Sequence, residues 1–256
     1  MIDPRAIVHP SAQLAEDVEV GPFSLIGPDV TIDSGTRVLS HVVIKGPTSI
    51  GKNNRIYQFA SVGEDCQDKK YRGEPTRLVI GDNNVLRESC TLHRGTVQDQ
   101  GVTWVGSDNL LMAYVHIAHD CRVGDRCIFA NNASLAGHVR VGDDVVLGGF
   151  STVHQFCQLG PGSMTAGRTG LFKDLPAYTL ASGSPAVPSG MNFEGMRRRG
   201  WSEETIRELR RAYKIVYRQG RRLDEAVEML QEMVARVPEL VPLVDSLLSS
   251  TRGIVR

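Results

Sequence analysis

The stretch HIAHDC, residues 116 to 121, places two histidines, an acid and a cysteine within six residues. Imidazole exchanges a proton near neutrality and also ligates metals, so the stretch could hold zinc, form a base with its orienting acid, or simply pack. It lacks the glutamate of the helical HExxH metalloprotease pattern, and its surroundings do not read as helix, so that motif is not met. The choice among the other uses depends on the element that carries these side chains.

That element announces itself as a repeat. Stepping by six from Ile2 gives Val8, Leu14, Val20, Ile26, Ile32, Val38, Ile44, Ile50, Ile56 and Val62, every one Ile, Leu or Val. The beat returns at Ile80, Leu86 and Leu92, then from Val105 to Leu159, lapses at Thr165 and closes at Leu171. A helix cannot use a period of six, because such residues do not share a face. Short parallel strands joined by corners can, and Gly or Asn near the corners suits unusual backbone angles. The expected architecture is a triangular solenoid of parallel β-strands, three hexads and about eighteen residues per coil, with coils about 4.8 Å apart.

The fourth residue after each anchor is mostly small and also points inward. All five cysteines (Cys66, Cys90, Cys121, Cys127 and Cys157) fall there, so they are expected to be core residues rather than nucleophiles. Two segments interrupt the beat, 68–79 and 98–104, and such insertions loop out from one face of a solenoid, often the binding face. After about residue 190 the pattern changes. SEETIRELRRAYKIVYRQG reads as an amphipathic helix with Ser202 as N-cap and Gly220 beyond its end. A second helix is expected over about 223–236 and a third after Pro238. The chain thus divides into a solenoid over 1–190 and a small α-helical C-terminal domain over 191–256.

The eighteen-residue register stacks His119 under Gly137 and Gln155, with His138 and His154 beside the file. An outward imidazole can take a proton from a hydroxyl, and a backbone N–H left open by glycine can stabilise an oxyanion. Asp120 could orient His119, although alternation along a strand argues against automatic contact. Arg197, Arg198 and Arg199, with Lys69, Lys70, Arg72 and Arg77, could meet a diphosphate or a phosphopantetheine arm, or merely be solvated.

Composition excludes several classes. Lys plus Arg and Asp plus Glu both number 29, which gives no general attraction to nucleic acid or anionic membrane. No run approaches the apolar length of a membrane span, and MIDPRAIVHP lacks the layout of a secretory signal, so a soluble cytoplasmic protein is expected. Neither a P-loop nor a βα-linked GxGxxG is present, so ATP and nicotinamide cofactors are unsupported. From the residues alone, a zinc-dependent carbonic-anhydrase-like solenoid and a non-enzymatic binding solenoid stay open as alternatives.

The hexads together with DKKYRGEPT, LHRGT, HIAHDC, LAGHV, VHQF and NFEGMRRRG closely resemble the UDP-N-acetylglucosamine O-acyltransferase family of lipid A synthesis, over essentially the whole chain. The resemblance implies an all-β left-handed parallel β-helix of the hexapeptide-repeat kind, assembled as a homotrimer with active sites between subunits. It implies transfer of an R-3-hydroxyacyl group from acyl carrier protein to the sugar 3-hydroxyl, without metal or other cofactor. His119 would be the general base, Asp120 its support and Gly137 the oxyanion donor. Gln67, Asp68, Lys70, His116, His138, His154, Gln155, Asn192, Glu194, Arg198 and Arg199 would bind or position substrates. Gly167, with Met164, would set acyl length, the glycine leaving room for a longer chain, while Pro185 and Arg168 depart from the family pattern nearby. The N-acyltransferase of the same pathway is disfavoured because the solenoid begins at residue 2.

Overall fold

A computed structural model describes residues 1–256. Its strands are mostly two residues long and stack into three sheets of 9, 8 and 10 strands, the faces of a triangular prism. The chain belongs to the left-handed parallel β-helix class, with a small helical part after it. The first face begins with Ile7–Val8, the second with Gln13–Leu14 and the third with Glu19–Val20, and each coil visits all three. Pairing is parallel and in register, for example His116↔Ser134 and Ile117↔Leu135 on the first face. The anchors fill the axis: Ile26, Ile44, Leu92, Ile117 and Leu135 are all buried in one continuous core. Thr165, the lapse in the beat, is buried too, and its hydroxyl bonds Ser151 Oγ at 2.8 Å and accepts from the Gly148 N–H at 3.0 Å.

The five cysteines are buried and unbridged. Burial pushes the Cys90, Cys121 and Cys127 thiols up to about 12 and Cys157 to about 11, which removes the thiolate that nucleophilic chemistry needs.

Corner chemistry matches the expectation of Gly and Asn in part, with Gly35, Asn53, Asn83, Asn132 and Gly162 at positive φ, and extends beyond it. Positive-φ corners are held by Phe23, His41, Phe59, Tyr114, Asp120, His138, Phe150 and Phe156 among others. Such a backbone costs roughly 1–2 kcal/mol per residue. Ring contacts along the column offset it, with Phe23 tilted against His41 at 5.1 Å and His138 stacked on Phe156 at 4.5 Å. The glycines after the anchors serve another purpose. A Cβ at Gly106 would lie 2.2 Å from Asp125 Oδ1 and 2.7 Å from the Gly124 carbonyl oxygen, so glycine is needed for close approach between coils.

The two excursions sit earlier than the expected 68–79 and 98–104. Strands Arg77–Ile80 and Val102–Val105 are four residues long and pair with one another, so they draw 77–79 and 102–104 back into the second face. The loops proper are 65–76 and 94–101.

An antiparallel hairpin, Thr179–Ser182 with Val187–Met191, ends the third face. The linker NFEGMRRRG contains helix α1 (Phe193–Arg198). Helix α2 (Glu203–Tyr217) starts where Ser202 Oγ accepts the Thr205 N–H at 3.1 Å. Helix α3 spans Leu223–Val234, shorter than the expected reach to 236, and α4 (Val241–Leu248) follows a short turn at Pro238–Leu240. The helical core takes in Ala177 and Tyr178 from the prism, and Val255 of the tail packs into the prism core. No helix is long and apolar enough to cross a membrane.

Candidate active site

His119 follows the first-face strand His116–Ile117, at the corner that leads to Arg122–Val123 on the second face. Its neighbour Asp120 has φ +58°. Strand alternation therefore stops at this residue, and the Asp120 carboxylate folds back to the ring, with His119 Nδ1 to Oδ2 at 2.9 Å. Alternation along an extended strand would point this carboxylate away from the ring, and the left-handed backbone at Asp120 reverses that.

Asp120 is buried and densely bonded. Its carboxylate accepts the Thr96 N–H at 2.9 and 3.1 Å and the Thr96 hydroxyl at 2.6 Å, while its own N–H donates to Thr103 Oγ1 at 2.8 Å. Burial alone would raise the carboxyl pKa. The hydrogen bonds from His119 and Thr96 outweigh it, so the group is held below its ordinary value. With Nδ1 donating to a carboxylate, Nε2 is left as the proton acceptor of the neutral ring.

Nε2 faces Gly137 one coil above. A Cβ there would lie 2.6 Å from Nε2 and 2.5 Å from Cε1, so the ring occupies the space that any other residue's side chain would need. The Gly137 N–H donates to no acceptor within the chain, and the backbone bonds His138 N–H to His119 O and Phe156 N–H to Gly137 O continue the stack. Gln155, above Gly137, is exposed; His154 lies against Phe172 at 6.0 Å. The His138 ring stands edge-on to His119 at 5.0 Å, and its Nδ1 meets Asp99 Oδ2 at 3.2 Å.

A groove of about 430 Å³ on the first face brings Gln67, Asp68, His116 and His119 together. Lys70 lies on the exposed turn beside it, its N–H bonded to Asp68 Oδ1 at 2.9 Å. His116 Nδ1 pairs with Thr91 Oγ1 at 2.7 Å, and its ring meets His93 edge-on at 5.1 Å. Burial depresses His116 to about 4 and lowers His93 as well, so both stand neutral at physiological pH. Arg94, buried beneath the 65–76 loop, bonds Gly63 O, Asp65 and the Tyr71 hydroxyl and so ties that loop to the prism. Sequence reasoning assigned no role to Thr91, His93, Arg94, Thr96, Asp99 or Thr103. Their coils contain the excursions, so the eighteen-residue register cannot be carried back to them.

The remaining candidates lie elsewhere. Asn192, Glu194, Arg198 and Arg199 line a groove of about 760 Å³ on the third face, together with Met164, Ile128 and Val146. Asn192 is engaged as the N-cap of α1, accepting the Gly195 N–H at 2.9 Å and donating to Gly162 O at 3.1 Å. Glu194 pairs with Arg197, and Arg199 approaches Asp144 at 3.4 Å. Gly167 sits at the corner between third and first faces, where a Cβ would meet only Gly149 O at 3.5 Å; nothing in the chain fills that space.

His119, Asp120 and His138 offer three donor atoms within 4.8 Å, the grouping a metal would need. The Asp120 oxygens and His119 Nδ1 are already committed to one another and to Thr96. That is the bonding of an oriented base, and a cation would have to break it.

Comparison with known proteins follows the same line. A family model described as "Udp N-acetylglucosamine O-acyltransferase; Domain 2" matches residues 174–255, and a bacterial transferase hexapeptide model matches 103–137. The chain is 57% identical to an acyl-[acyl-carrier-protein]–UDP-N-acetylglucosamine O-acyltransferase of Stutzerimonas stutzeri, over 100% of this chain and 99% of that one. It superposes with TM-score 0.98 on LpxA from Acinetobacter baumannii at 55% identity, covering 100% of this chain and 99% of that one. The UDP-N-acetylglucosamine O-acyltransferase of Moraxella catarrhalis gives TM-score 0.98 at 50% identity, with the same coverage.

Proposed function

We propose a division of labour among residues from one premise: the chain belongs to the UDP-N-acetylglucosamine O-acyltransferase family, and it is the acyltransferase that opens lipid A synthesis. Acyl carrier protein delivers the acyl chain as co-substrate. The donor is an R-3-hydroxyacyl thioester and the acceptor atom is the sugar 3-hydroxyl oxygen.

His119 Nε2 takes the hydroxyl proton as that oxygen attacks the thioester carbonyl. The Gly137 N–H stabilises the tetrahedral oxyanion. Collapse expels the pantetheine sulfur, which the imidazolium reprotonates. Asp120 holds the ring and balances its positive charge. General-base action of this kind supplies about 10²–10⁴-fold and an oxyanion donor about 10²–10³-fold. The proposed chemistry needs neither metal nor covalent acyl-enzyme. Its substrates, a carrier protein and a nucleotide sugar, fit the cytoplasm.

The single observation that carries this reading is the geometry of His119: Nδ1 on a buried carboxylate and Nε2 against a glycine with a free amide. Gln67, Asp68, Lys70, His116, His138, His154 and Gln155 would contact substrate around it. Asn192, Glu194, Arg198 and Arg199 would hold phosphate or carrier groups. These two sets occupy different faces of the prism, so one chain does not bring them together. A homotrimer that seats the first face of one subunit against the third face of the next would do so, with Gly167 and Met164 bounding the acyl channel.

The test is turnover of UDP-N-acetylglucosamine with a panel of acyl and 3-hydroxyacyl carrier thioesters, read by product mass. Wild type should form an O-acyl product, and His119→Ala should lose turnover by at least about 10²-fold while keeping its fold. Full activity in that variant would end the base assignment.

A further inference from the structure

We propose that Thr96 is a positioning residue for this reaction, clamping Asp120 so that the carboxylate presents one fixed acceptor to His119 Nδ1. The inference rests on the reading of His119 as base.

Thr96 is 1% exposed and lies in the 94–101 excursion, not on a strand of the prism. Both its hydrogen-bond donors converge on the same carboxylate: the N–H at 2.9 and 3.1 Å and the hydroxyl at 2.6 Å. No other side chain except His119 bonds those oxygens within 3.5 Å. The approach is made possible by Gly95, where a Cβ would lie 2.8 Å from Asp120 Oδ1 and 2.3 Å from the Val102 nitrogen. The loop is itself fixed, since Gly95 N–H donates to Arg77 O, Arg77 N–H to Gly101 O, and Gly101 N–H to Thr96 O. A buried carboxylate beside an imidazole has several rotamers open to it, and only one puts Oδ2 on Nδ1. Two donors from a rigid loop select that one, as outer-shell partners of functional histidines do elsewhere.

The charged and titratable groups that face His119 are Asp120 from its own corner, His138 from the coil above, His93 and His116 from the first face, and Asp68 from the 65–76 loop across the groove. Asp99 reaches only His138. Because burial keeps His93 and His116 neutral, the charge of Asp120 is the one that Thr96 controls. Removing the hydroxyl leaves the carboxylate with more unshared negative charge. That favours imidazolium and moves the rising limb of kcat/KM to higher pH, while a looser Asp120 lowers kcat.

The experiment compares wild type with Thr96→Val and Thr96→Ser in steady-state kinetics across pH, with thermal melts for each, and with His119→Ala as reference. Thr96→Val should cost about 10- to 100-fold in kcat with KM little changed, and shift the limb upward. Thr96→Ser, which keeps the hydroxyl, should restore both. A Thr96→Val enzyme with wild-type kcat and pH profile, a loss confined to KM, or no recovery in a folded Thr96→Ser would each overturn the role of Thr96. An active His119→Ala would instead overturn the base reading beneath it.

Discussion

At the scale of single residues, function rests on what the backbone does at one corner. Position 120 takes the left-handed conformation, and that turns a carboxylate expected to point away into the direct partner of His119. Position 137 must lack a side chain for the ring to lie where it does. Gly137→Ala is therefore expected to displace the imidazole and abolish turnover while the melting temperature moves little, because the added methyl meets a ring edge at a partly open groove and not the core. Activity within tenfold of wild type would show that the ring has another place to sit. His116 carries a different prediction. Its pKa lies near 4, below the ordinary 6.5, because burial penalises the charged ring. Between those values the unfolded chain binds the extra proton and the native one does not, so this group's contribution to stability is present above pH 6.5 and is lost as pH falls toward 4. NMR titration should find the ring neutral at pH 6. Protonation near 6.5 would refute its burial.

At the scale of elements, the coils are locked by ladders as well as by apolar anchors. Asn54, Asn84 and Asn109 stack inside a corner, each side-chain oxygen accepting the next coil's N–H at 2.7–2.9 Å. Asn84 also donates to Gly106 O at 2.9 Å. Asn84→Leu would strand the Asn109 N–H and the Gly106 carbonyl of the next coil, at about 1–3 kcal/mol for each. A denaturant midpoint well below wild type, with kcat preserved in the folded fraction, is the expected result. The C-terminal tail makes a second lock. Asp174 accepts from Gln158 N–H and from Ser250, and Val255 enters the prism core. Removing residues 251–256 should lower the thermal midpoint, and an unchanged melt would show the end of the prism to be closed without it.

At the scale of the whole molecule, the proposed site is divided between two faces, and that division can be tested genetically. His119→Ala breaks the first-face half and Arg198→Ala the third-face half. In a mixed trimer of the two variants, one interface joins an intact His119 to an intact Arg198. Co-expressed variants purified as hetero-oligomers should regain turnover that neither shows alone. If the mixture stays as inactive as its parents, both halves act within one chain and the trimeric site is wrong.

How much of this was legible beforehand follows from the same geometry. A period of six in Ile, Leu and Val specifies which residues face the axis, because each short strand must bury its anchor. That alone yields the prism, the buried cysteines and the column of His119, Gly137 and Gln155. Adding eighteen works wherever every coil is regular. It fails across the excursions, whose lengths shift the register by amounts no local pattern encodes. Thr96, Thr91, Arg94 and Asp99 therefore reached the site only through the folded chain. So did the bond between His119 and Asp120, since a corner's sign of φ is chosen by the coil packed against it and not by the identity of the aspartate.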